Sequence, residues 1–94
     1  MLKIYTVYDS KAGFYDKPFV QRSTGEALRS WQTAANSPDT AMGTHPSDYT
    51  LFEIGEFDTD NGGIKVYEAK KSLGLALDYV KPSDKMVKSS PVSK

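Results

Sequence analysis

The chain has 94 residues, 38% of them apolar and 26% charged, and it carries no cysteine. That length makes one domain at the small end of what folds alone, and the apolar share is too high for a wholly disordered chain. The lack of thiols excludes a disulfide framework and a thiolate metal site.

Lysine plus arginine and aspartate plus glutamate number 12 each, for a formal net charge of zero. The charge is uneven: Lys81, Lys85, Lys88 and Lys94 against Asp84 leave residues 81–94 at +3, so the first eighty carry −3. A basic tail on a mildly acidic body points to an anionic partner, although a solvated terminus explains it as simply. No long apolar run follows Met1, so no signal peptide is expected. No stretch approaches the ~20 apolar residues of a membrane span. The expected compartment is a reducing cytoplasm.

Leu2 to Tyr8 (LKIYTVY) alternates and is rich in Ile, Thr, Val and Tyr, which predicts a strand. Asp9 to Gly13 reads as a turn. Phe14 to Arg22 is a second, less regular extended stretch, in which Pro18 suits an edge or a bulge. Ser23 and Glu26 have the S-x-x-E spacing of a capping box, and Ala27, Leu28, Trp31, Ala34 and Ala35 form one stripe at the 3.6 period. A helix is therefore predicted from Ser23, with Trp31 as its core anchor, ending at Asn36-Ser37-Pro38.

Residues 37–48 read as a loop. Tyr49 to Asp58 and Gly63 to Ala69 read as two antiparallel strands. Lys70 to Val80 (KKSLGLALDYV) fits two templates: a short helix capped by Ser72 and carrying Leu73, Ala76, Leu77 and Val80, or a strand alternating through Leu73, Leu75, Leu77 and Tyr79. Leu and Ala favour the helix and Gly74 opposes it, and the helix is the reading adopted. The fold expected is α+β: a small antiparallel sheet of about four strands, one main helix on one face and a possible short C-terminal helix. Residues 1–80 form the domain and 81–94 a flexible basic tail.

The segment from Asp58 to Gly63 (DTDNGG) partly echoes a calcium loop. The fifth and twelfth positions, where that loop needs oxygen ligands, hold Gly62 and Ala69. Asn61-Gly62 is instead a hairpin signal, suited to the positive φ of a tight type I′ turn. His45, the single histidine, has no serine or carboxylate placed beside it by a motif, and Glu53, Glu56 and Asp58 do not pair as an acid and a base. No phosphate-binding glycine motif is present. The expectation is a protein that is not an enzyme and uses no metal or cofactor.

Lys3-Ile4-Tyr5 and Lys65-Val66-Tyr67 repeat one pattern on two predicted strands. Alternation puts lysine and tyrosine of each triplet on one face. If Ile4, Ile64 and Val66 face the helix, then Lys3, Tyr5, Lys65 and Tyr67 face outward, with Lys17 and Arg22 extending the surface. Cations interleaved with flat rings suit single-stranded nucleic acid, with phosphates on the cations and bases stacked on the rings. Two other readings stay open. The tyrosines pack as cross-strand pairs, or the chain associates with itself, because 49–58 is apolar on both faces (Tyr49, Leu51, Phe57 against Phe52, Ile54).

The blocks KIYTVYDSKAGFY, Gly25-Glu26-Ala27, HPSDYTLFEIGEFD and SLGLALDYV together resemble the small nonstructural protein of gokushoviruses, the microvirus phages with circular single-stranded DNA genomes. The likeness spans residues 1–80. It implies a non-capsid protein of the infected bacterial cytoplasm that binds single-stranded DNA and aids genome packaging or the switch to single-strand synthesis. It brings no catalytic residues. A homodimer or higher oligomer, and contacts with phage replication or capsid proteins, are the further partners expected.

Overall fold

A computed structural model describes residues 1–81, so the expected tail from Pro82 onward lies outside the described residues. Five strands make one antiparallel sheet: β1 (Leu2–Asp9), β2 (Phe14–Tyr15), β3 (Phe19–Gln21), β4 (Tyr49–Phe57) and β5 (Ile64–Leu75). The short β2 and β3 lie end to end along one edge of β1, β4 runs along its other edge, and β5 lies beyond β4. The extended stretch around Pro18 is thus two short edge strands, because proline has no N–H to offer a ladder. The main helix, α1 (Thr24–Ala35), covers one sheet face, and among the described residues no helix is long and apolar enough to cross a membrane.

Helix α1 starts as its sequence dictates. The Ser23 hydroxyl accepts from the Glu26 backbone N–H at 3.2 Å, but the Glu26 carboxylate turns away to Arg22, 2.6 Å from Nη2, so half of the capping box forms. Ala27, Trp31 and Ala35 are buried with Tyr5, Leu51 and Ala76, which makes the core. Trp31 is the anchor its stripe predicted. Residues 37–48, read as a loop, hold a single-turn helix α2 (Ala41–Thr44), capped by the Thr40 hydroxyl, and a 3-10 turn at Pro46–Asp48.

Two expectations about β5 are corrected. The strand does not end at Ala69 but continues to Leu75, with Lys71 opposite Glu53 and Ser72 opposite Phe52, so Ser72 caps no helix. Pairing to β4 outweighs the helical preference of Leu and Ala. Only Ala76–Tyr79 coils, as a 3-10 turn in which Asp78 Oδ2 accepts from the Leu75 N–H at 3.0 Å.

The second correction concerns the hairpin tip. The loop spans Thr59 to Gly62 rather than two residues. The Gly62 N–H donates to the Asp58 carbonyl at 2.8 Å, and Gly62 holds φ +77°, which glycine adopts without strain. Asp58 Oδ1 and Asn61 Oδ1 accept from the backbone N–H groups of Asp60 and Gly63. The Asp58 and Asn61 side-chain oxygens of the segment that echoed a calcium loop are thus turned onto the loop's own backbone.

Candidate functional site: two faces of one sheet

The helix lies on the face opposite to the one expected. Tyr5 is fully buried and stacks on Phe19 with ring centroids 5.7 Å apart. Ile64 and Val66, expected under the helix, are 65% and 74% exposed on the other side. Both parities of β1 and β4 carry apolar groups, so alternation alone does not choose a face. The choice is made by Tyr5 and Leu51, whose burial accompanies that of Trp31 in one cluster.

Between α1 and the sheet, polar groups gather around Glu53, a carboxylate buried to 3% exposure. The Tyr67 hydroxyl donates to Glu53 Oε2, the Thr24 hydroxyl donates to Oε1 at 3.3 Å, and Tyr5 donates to Thr24 at 3.5 Å. Lys3 Nζ lies 2.8 Å from Glu56 and 3.9 Å from Glu53. The hydrogen bond from Lys3 holds the Glu56 carboxyl below its usual range, and the same bond raises the Lys3 ammonium. Burial, aided by the Glu53 hydrogen bond, pushes the Tyr67 phenol up to about 12. The network ties the first turn of α1 to β4 and β5, satisfying a carboxylate that would be costly to bury alone.

The six residues expected to form a nucleic-acid surface divide accordingly. Lys3, Tyr5 and Tyr67 are brought together, but on the helix side, with Lys3 and Tyr67 turned onto the two glutamates and the Tyr5 hydroxyl onto Thr24. Tyr5 offers no exposed ring for a base to stack on, which corrects the expected outward Lys/Tyr platform. Lys65 stands opposite Glu56, exposed. Arg22 pairs with Glu26, and Lys17 is exposed on the link between β2 and β3, so neither joins the others.

The face away from α1 was missed. Its centre is a bulge where four residues of β5, Tyr67 to Lys70, stand against Ile54 alone on β4. Such an excursion re-aims side chains. Tyr67 goes to Glu53, while Lys70 crosses the open face until its Nζ lies 5.3 Å from the centroid of the Tyr15 ring. Tyr15, 44% exposed, sits 4.7 Å from Tyr8 and 6.0 Å from Phe52, ring centre to ring centre. A groove of about 340 Å³ runs beside it, lined by Pro18, Ile54 and Val66, with Asp16, Glu68 and Lys70 among its polar groups.

Toward the hairpin tip the same face turns largely aliphatic, with Phe57 its one aromatic group among the paired residues. The pairing aligns Val20, Ile4, Gly55 and Val66 in one row and Leu2, Phe57 and Ile64 in the next. Gly55 is required there, since a Cβ would come within 2.4 Å of the Lys65 carbonyl oxygen. The signal was present in the sequence as Ile4, Ile64 and Val66, assigned to the wrong side. The Tyr8–Tyr15–Phe52 cluster had none, because it depends on β2 pairing with the end of β1.

Among the described residues no three histidine or carboxylate groups stand together to hold a metal ion. In comparison with known proteins, the family model described as Phage ORF5 protein matches residues 2–79. No curated protein and no solved structure matches the chain.

Proposed function

The chain belongs to the phage ORF5 protein family, and from that premise we propose a non-enzymatic, nonstructural protein of the gokushovirus kind, made in the host bacterial cytoplasm, that binds single-stranded DNA with the aromatic end of its open sheet face. Its role on this reading is to aid genome packaging or the switch to single-strand synthesis. The observation that carries the reading is Lys70 poised over the exposed ring of Tyr15, beside Tyr8 and Phe52. A base stacks on Tyr15 at ~1–3 kcal/mol, and the ammonium meets the adjoining phosphate. Asp16 and Glu68 beside the groove oppose a polyanion and keep the affinity modest.

Anisotropy of a fluorescent oligonucleotide at two salt concentrations tests this. Binding should weaken with salt by ~0.7 logarithmic units per phosphate contact for each tenfold rise in salt. Tyr15→Ala and Lys70→Glu should each weaken it further. A weak signal indifferent to salt and to both substitutions removes the reading.

A second reading, an adaptor for the replication initiator or procapsid without tight DNA binding of its own, is favoured by the uncharged aliphatic rows and by the −3 carried by the first eighty residues. Partners retained by the chain after nuclease treatment of infected-cell extract would support it over the first.

A further inference from the structure

We propose that the aliphatic half of the open sheet face is the surface on which two copies of this chain associate, leaving the aromatic half of each copy free. Its first row, Val20, Ile4 and Val66, crosses the sheet from β3 to β5, and its second, Leu2, Phe57 and Ile64, runs from β1 to β5, neither with a charged side chain. Val66, Ile64 and Val20 are 74%, 65% and 49% exposed. A polyanion gains nothing from such a surface. The chain's own continuation starts from the other side: the Lys81 N–H donates to Asn36 Oδ1 at 2.8 Å, at the end of α1.

The size of the surface fits a second copy. Strands ~4.8 Å apart, carrying one row of apolar side chains over four strands and a second over three, present on the order of 500 Å² per copy. Stacking two such surfaces buries roughly 1,000 Å², near the lower bound for a specific interface, so the dimer is weak and reversible. A two-fold axis running across the strands, between the two rows, sets each row against the other row of the second copy, a self-complementary contact that closes at two copies. The same axis sends the two aromatic ends in opposite directions. The inference takes from the DNA reading only that those ends stay open, and it stands without DNA.

Sedimentation velocity of the full chain, free of nucleic acid, should show one copy at low micromolar concentration and a shift toward two as the concentration nears millimolar. Val66→Asp and Ile64→Asp, both at exposed side chains, should each weaken association at least about tenfold with an unchanged circular dichroism spectrum. Tyr15→Ala should leave it intact. A single-copy mass at the highest concentration, or association that survives both aspartates, overturns the proposal. Loss of DNA binding with the dimer retained would sink only the DNA reading, and the converse only this one.

Discussion

Tyr67 on β5 donates its phenolic proton to the buried carboxylate of Glu53 on β4, from inside the bulge that sends Lys70 to the opposite face. One irregularity in pairing therefore does two things. It closes the polar network under α1, and it furnishes the open face with a cation. The bond should matter to stability, because removing the donor leaves Glu53 with fewer partners in a dry site. Tyr67→Phe is expected to cost ~1–3 kcal/mol. It would be read as a lower urea midpoint at unchanged slope.

The same bond gives the fold an alkaline limit. The Tyr67 phenol titrates near 12 when folded against about 10 in an unfolded chain, and burial raises that of Tyr5 in the same direction. A folded state that holds its proton more tightly is stabilised below the unfolded value and loses that stabilisation as pH climbs through the folded one. Stability should hold to about pH 10 and then fall between 10 and 12. Tyrosinate absorbance recorded with circular dichroism across that range checks it, and Tyr67→Phe should flatten the decline.

Much of the architecture was legible from local chemistry. Ser23, the Ala27–Trp31–Ala35 stripe and the Pro38 stop define α1, and Asn61-Gly62 marks the hairpin. What local chemistry left open was sidedness. Lys3, Tyr5 and Val7 share one parity with Leu2, Ile4 and Thr6 on the other, and each set mixes apolar with polar groups. Choosing between them takes the contact of Tyr5 with Phe19 and the shared burial with Trp31, neither of which is local. The groove depended on the bulge at Ile54, a register shift with no compositional mark.

Tyr5 distinguishes the two sides directly. Its ring fills the core, while its hydroxyl makes one long bond of 3.5 Å to Thr24. Tyr5→Phe should therefore change stability by less than about 1 kcal/mol, and Tyr5→Ala should cost ~3–5 kcal/mol through the cavity it leaves. Neither Tyr5→Phe nor Lys65→Glu should alter oligonucleotide binding as much as Tyr15→Ala does. Anisotropy titrations of the three variants side by side would show the order.

The start of α1 gives a finer contrast. Ser23 accepts from the Glu26 N–H, so Ser23→Ala should cost about 1 kcal/mol. Glu26 would lose comparably in a complete capping box, but its carboxylate is committed to Arg22 on the surface, where the Arg22 side chain is 80% exposed. An exposed pair of this kind contributes little to stability and is screened by salt. Glu26→Gln should thus cost less than Ser23→Ala, and the gap should widen as salt is added. Thermal unfolding of both variants at low and high ionic strength measures it. Equal costs that ignore salt would mean that Glu26 closes the box in solution after all.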